Sequence, residues 1–101
     1  MITCTLRYVI DAHKIAEFET YAKMWIPLVE KFGGKHHGYF LPHEGPSDIA
    51  YALFSFDSLA AYETYRAEAA NDPDCQAAVK YWEDTRCFLS YERSFTRPVF
   101  S

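Results

Sequence analysis

Apolar and polar positions alternate along residues 2–10. Ile2, Cys4, Leu6, Tyr8 and Ile10 fall on one face, and Thr3, Thr5, Arg7 and Val9 on the other. A period of two, in a run rich in β-branched and aromatic side chains, predicts a strand. The period then changes. Over residues 13–32, Ile15, Phe18, Ala22, Trp25, Val29 and Phe32 recur three or four places apart, with Tyr21 and Leu28 beside them. That is the pattern of a helix buried along one stripe. Asp11 is placed to cap it, and Gly33-Gly34 to end it through a left-handed turn. Pro27 lies inside, where its ring opposes the carbonyl of Lys23. A kink or restart is therefore expected near Trp25 and Ile26.

Residues 35–42 read as a second strand and residues 48–56 as a third. The turn-rich Pro42-His43-Glu44-Gly45-Pro46-Ser47 joins them as a hairpin. The third strand is nearly all apolar, which predicts burial on both its faces. Asp57 or Ser58 caps a second helix with the stripe Leu59, Tyr62, Tyr65, Arg66 and Ala69. Asn71-Asp72-Pro73 stops that helix and starts another over residues 73–84, carrying Val79 and Trp82. Residues 86–96 return as a fourth strand. Alternation puts Cys87, Leu89, Tyr91, Arg93 and Phe95 on one face, and Arg86, Phe88, Ser90 and Glu92 on the other.

This order, β-α-β-β-α-(α)-β, predicts an α+β fold of the ferredoxin-like βαββαβ type. It has an antiparallel four-stranded sheet ordered 4-1-3-2 with the helices on one face. Residues 1–101 are expected to form one domain. The opposite face is left bare, yet the third strand still places apolar side chains on it. A second copy of the chain would cover that face, so a homodimer packed sheet against sheet is expected. Arg7 sits in a central strand, and arginine is seldom buried unpaired. Glu92, on the neighbouring fourth strand, is its expected partner at or near the dimer interface.

Composition narrows the function classes. The net charge is −4 and no run of Lys or Arg occurs, so a nucleic-acid partner is not expected. No apolar stretch approaches the roughly 20 residues of a membrane span. Met1–Arg7 lacks the basic and apolar regions of a signal peptide. Cys4, Cys75 and Cys87 are an odd set without C-x-x-C spacing, so neither a disulfide framework nor a zinc site is expected, and the cytoplasm is the expected compartment. Eight Tyr, eight Phe and two Trp exceed what one compact layer needs. Some of these rings should meet a partner or line a pocket.

Four segments, in order, carry a resemblance. Leu6-Arg7 lies in the first strand. Trp25-Ile26-Pro27-Leu28 is followed by Lys31-Phe32-Gly33-Gly34 and Gly38-Tyr39. Phe54-Ser55-Phe56-Asp57-Ser58-Leu59-Ala60-Ala61-Tyr62 precedes Tyr65-Arg66, and Asn71-Asp72-Pro73 leads into the last helix. Together they resemble the NIPSNAP family of the dimeric α+β barrel superfamily. Thr5 and Val9 depart from the acidic and aromatic residues the family often has on either side of the arginine. The resemblance implies a ferredoxin-like fold and a dimer, with no defined activity.

The candidate chemistry is sparse. His36 and His37 are neighbours in a strand, so they point to opposite faces and cannot chelate one ion together. His37 and His43 share parity but stand about 20 Å apart along an extended chain. No metal is therefore expected, and no cofactor. A single histidine acting as a base in a pocket is the sharper reading, with His36, His37 and Tyr39 as candidates. Tyr21, Trp25, Tyr51, Tyr62 and Trp82, together with Tyr65, are core rings by default. They would also wall a cleft between helices and sheet suited to a flat apolar ligand. No G-x-S-x-G or phosphate-binding glycine loop is present. Three readings stay open. One is a NIPSNAP-like homodimer binding a small apolar ligand. Another is a small cofactor-independent enzyme, monooxygenase- or isomerase-like, acting on an aromatic or apolar substrate. The third is haem binding through one histidine.

Overall fold

The computed structural model describes residues 1–100. The chain runs β1 (Ile2–Ile10), α1 (Ile15–Lys31), β2 (Lys35–Phe40), β3 (Ile49–Phe56), α2 (Leu59–Ala69), α3 (Pro73–Thr85) and β4 (Phe88–Thr96). The strands make one antiparallel sheet in the order β2-β3-β1-β4. This is the ferredoxin-like arrangement expected from the element order.

The core lies where the helices cover the sheet. From β1 it takes Cys4, Leu6, Tyr8 and Ile10, and from β3 Ala50, Ala52, Phe54 and Phe56. α1 contributes Phe18, Tyr21 and Val29, and α2 contributes Tyr62 and Tyr65. Burying one such ring stabilises the fold by roughly 1.5–3 kcal/mol. α3 joins through a smaller cluster, where Cys75 and Ala78 meet Leu28 of α1. The stripe positions Leu59 and Val79 are not core: they are 53% and 47% exposed.

The helix ends follow local chemistry. Ser58 caps α2 by accepting the Ala61 N–H at 3.1 Å. Asp72 caps α3 by accepting from Asp74 and Cys75 at 2.9 and 3.0 Å. Asp11 does not cap α1. Its carboxylate accepts the His13 N–H and its carbonyl the Lys14 N–H. It closes a turn instead, and α1 starts after an uncapped Lys14. At the other end, Gly34 donates to the Val29 carbonyl and Gly33, at φ 92°, to that of Glu30. This double closure needs a left-handed residue, which glycine supplies. α1 runs without a break through Pro27. Both Pro27 and Lys23 are on its exposed side, so the carbonyl that the proline leaves unpaired can be solvated.

Two irregularities reset the strand faces. In β2, His36 pairs with Phe54 and Gly38 with Leu53, which leaves His37 as an extra residue. Gly38 takes φ 110° at this bulge, a value other residues rarely adopt. In β4, Ser90 pairs with Val9 and Phe88 with Ile10, so Leu89 is extra. Phe88 therefore joins Tyr91, Arg93 and Phe95 beneath the helices, not Ser90 and Glu92 as alternation predicts.

β3 is covered along its whole length on one face only. Ala50, Ala52, Phe54 and Phe56 are buried, whereas Tyr51 on the opposite face is 41% exposed. The expectation of two buried faces fails at Tyr51; of the β3 residues on that side only Ser55, bonded to His37 and Thr3, is buried.

Gly34 is the tightest backbone site. A Cβ there would lie 2.7 Å from the Phe56 ring and 2.8 Å from Val29. Gly34→Ala is expected to destabilise the protein by about 1–3 kcal/mol through overpacking. A urea unfolding midpoint unchanged from wild type would refute this.

Candidate functional site

The helix layer does not close fully on the sheet. A cleft of about 810 Å³ is walled by all three helices and floored by the strands. Tyr21, Trp25 and Val29 come from α1, and Tyr62, Tyr65 and Arg66 from α2. α3 adds Cys75, Val79, Trp82 and Glu83, and the floor holds Leu6, Tyr8, His36, Tyr39, Phe54, Phe88, Tyr91 and Arg93. The rings brace one another. Trp82 stacks on Phe88 at 5.1 Å, Tyr21 meets Phe88 at 5.4 Å, and Tyr62 stacks on Phe54 at 6.3 Å.

Of the residues singled out from sequence, His36, Tyr39, Tyr21, Trp25, Tyr62 and Trp82 line this cleft, together with Tyr65. His37 and Tyr51 do not. The β2 bulge brings His36 and Tyr39, three residues apart, onto the same face, where they stack at 5.1 Å. His37 lies across the sheet, its Nε2 2.7 Å from Ser55 Oγ, which is in turn 2.7 Å from Thr3 Oγ1. Tyr51 lines a shallow depression of about 310 Å³ with Arg7, Phe40 and His43. Arg7 and Glu92 stand directly opposite in the β1–β4 register. Among the described residues no ion pair joins them within the chain.

Burial keeps Tyr8, Tyr21, Tyr39, Tyr65 and His36 of the cleft in their neutral forms. Burial pushes the Tyr21 phenol up to about 12, and burial also raises Tyr8, Tyr39 and Tyr65. Burial, helped by neighbouring His37, lowers His36 to about 4. At neutral pH these groups are phenols and a neutral imidazole. His36 Nδ1 accepts the Gly38 N–H at 2.9 Å, so the proton of the neutral ring sits on Nε2. The lone pair a base would use is engaged. His36 therefore offers a hydrogen-bond donor, which departs from the base expected from sequence. The same tautomer is the wrong one for ligating a haem iron through Nε2.

Sequence reasoning missed Tyr8, Arg66, Glu83 and Arg93. The available signal was charge at apolar positions: Arg66 falls in the α2 stripe, and Arg93 alternates with Tyr91 and Phe95. Two buried polar atoms of the lining residues, Trp25 Nε1 and Tyr62 Oη, have no hydrogen-bond partner among the described residues. Each such orphan costs about 1–3 kcal/mol. Cys4 and Cys75 are pushed up to about 11 by burial, so they stay thiols and are poor nucleophiles. Among the described residues no three His, Cys, Asp or Glu cluster as metal ligands, and no helix is long and apolar enough to cross a membrane.

The NIPSNAP family model matches residues 5–101. The chain belongs to the NIPSNAP family. This NIPSNAP chain is similar to protein Atu4242 of Agrobacterium tumefaciens, with a TM-score of 0.84 at 20% identity over 98% of this chain and 94% of that one. It is similar to an uncharacterized NIPSNAP domain protein from Burkholderia xenovorans, with a TM-score of 0.80 at 19% identity over 98% and 95% of the two chains. A putative antibiotic biosynthesis monooxygenase from Nitrosomonas europaea has a TM-score of 0.75 at 6% identity, over 99% and 100%. The fold of the NIPSNAP chain thus resembles that of the dimeric α+β barrel superfamily. No curated protein matches it.

The lowered pKa of His36 has a pH signature. Unfolded, this histidine takes up a proton as the pH falls below about 6.5, whereas the folded protein resists until about 4. The unfolded state then binds more protons, so stability falls across that window as the pH is lowered. His36→Gln is expected to lose less stability than wild type between pH 6.5 and 4. Parallel urea titrations check this, and superimposable pH curves would refute it.

Proposed function

We propose that this NIPSNAP chain acts as a homodimeric binding protein that takes a small apolar or aromatic ligand into the helix–sheet cleft. The observation that carries the reading is the cleft: about 810 Å³, ringed by aromatic side chains and including Trp25 and Trp82. That volume lies within the range typical of sites for small molecules. The chain has two tryptophans, and both line the cleft, so intrinsic fluorescence reports on its occupancy.

The dimer reading rests on the uncovered sheet face. Phe40 and Tyr51 pair there and are 52% and 41% exposed. Val9, Ile49 and Leu53 lie on the same side, half-buried. A second copy would supply apolar cover. It would also allow Arg7 of one chain to meet Glu92 of the other, a pair that register aligns but one chain does not close. Light scattering at micromolar concentration is expected to give a dimer, and Tyr51→Glu a monomer. N-phenyl-1-naphthylamine, a neutral aromatic probe, should quench the tryptophans saturably at one molecule per chain. A monomeric wild type would sink the dimer, and the absence of saturable quenching would sink the ligand site.

A second reading has one observation in its favour. The cleft is open and holds a neutral imidazole N–H beside the Tyr39 phenol. Such a pair suits polarisation of a carbonyl or stabilisation of a developing oxyanion. The chain would then be a cofactor-independent enzyme, monooxygenase- or isomerase-like, acting on an aromatic substrate. Oxygen uptake or isomerisation with a panel of polycyclic phenols and enones tests this. Turnover should fall at least about tenfold in His36→Gln; turnover unaffected by that change would remove His36 from the chemistry.

A further inference from the structure

The proposed cleft carries a charge pattern at odds with the whole chain. The protein is acidic, with a net charge of −4. Its cleft lining holds two arginines, Arg66 and Arg93, against a single carboxylate, Glu83. Arg66 extends from α2, one turn beyond Tyr62. Arg93 stands on β4, opposite Leu6 in register. Both guanidinium groups act on the same buried thiol, that of Cys4, drawing its pKa down against burial. Tyr62 of α2 stands 4.9 Å from Phe95 of β4, so Arg66, one turn beyond Tyr62, and Arg93, two residues before Phe95, border the cleft where these two elements meet.

Neither closes an ion pair among the described residues. Among the described residues every ion pair uses a lysine, and no carboxylate lies within 4.0 Å of either arginine. Glu83 belongs to α3 and pairs with neither. Two like charges at one end of an apolar cavity repel each other, and an anion placed between them relieves that repulsion. Arginine also presents a planar fork of donors suited to a carboxylate or sulfonate.

We infer that the cleft selects a rigid aromatic molecule bearing one anionic oxygen group, whose anionic end lies between Arg66 and Arg93. This rests on the ligand-binding reading above and specifies the substrate class of that site. The floor sets the length. In order across the sheet, Tyr39, Ala52, Leu6 and Arg93 occupy one row. Three strand spacings make that row about 14 Å long. Two or three fused or linked rings span it. The far end meets His36 Nε2–H and the Tyr39 phenol, which favour a second, uncharged oxygen. Stacked rings on the walls favour a flat ligand over a flexible acyl chain.

A matched pair of probes tests this. 8-Anilinonaphthalene-1-sulfonate and N-phenyl-1-naphthylamine share one ring frame and differ in the sulfonate. Tryptophan quenching in the full chain should show the sulfonate binding at least about tenfold more tightly, the scale of charge-assisted hydrogen bonds. The Arg66→Gln/Arg93→Gln double variant should lose that preference. Both side chains are exposed, so the fold is expected to persist, and circular dichroism verifies it. Arg97→Gln, outside the cleft, should keep the preference. In wild type, raising the salt concentration should weaken the sulfonate and leave the neutral probe unchanged. Saturable binding of both probes with equal affinity, or a preference surviving in the double variant, would overturn the inference and leave the cleft reading standing. Binding of neither probe would overturn both.

Discussion

Tyr8 is the ring on which the packing turns. It sits in the central strand β1 and is 4% exposed. Its ring centroid lies 5.1 Å from Phe18 of α1 and 6.2 Å from Tyr39 of β2. It lies 5.0 Å from Phe88 and 6.1 Å from Tyr91 of β4. One side chain thus ties a helix and both outer strands to the centre of the sheet. Rings of this size hold the layers together edge to face, but they do not interdigitate as aliphatic chains do. The helices are held close on the Phe18 side, and the cleft opens beside it toward Trp82 and Arg93. Stability and cavity come from the same choice of residue type.

The constraint also explains the division of the sheet. The sheet residues that pack against the helices are Leu6, Tyr8, Phe54 and Phe56 and their neighbours. The opposite face keeps a mixture of Thr3, Thr5, Arg7, Tyr51 and Glu92, too polar for a core and too apolar for open water. The proposed partner and the proposed ligand therefore address different faces. A substitution on one face need not disturb the other, apart from what travels through β1 itself.

Much of this was legible in the sequence, because period is a strong signal where geometry is regular. The alternation in residues 2–10 and the helical spacing from Ile15 to Phe32 gave correct elements and the correct order. The cap at Asp57 or Ser58, the Asn71-Asp72-Pro73 break between helices and the Gly33-Gly34 stop were equally plain. What failed was local. Each bulge adds one residue to a strand, and parity counted through it comes out wrong. That is why Phe88 was assigned to the far face, and why the choice between His36 and His37 stayed open. Tyr51 was placed in the cleft because an aromatic ring looks the same from either side of a sheet. Pro27 promised a break that solvent exposure makes unnecessary. The arginines of the cleft escaped notice because a charged residue in a stripe reads as a snorkelling edge until the cavity it faces is known.

The β2 bulge bears on how this protein is compared with its relatives. Whether the strand bulges, and not only which residues it carries, can decide which side chain occupies the cleft. A strand of the same length that paired regularly through this point, without the bulge, would send either His36 or Tyr39 to the opposite face. A column-by-column match at about 20% identity aligns letters and is blind to that reversal. Equivalent residues in this strand are those with the same hydrogen-bonded partner on β3, whatever their place in an alignment.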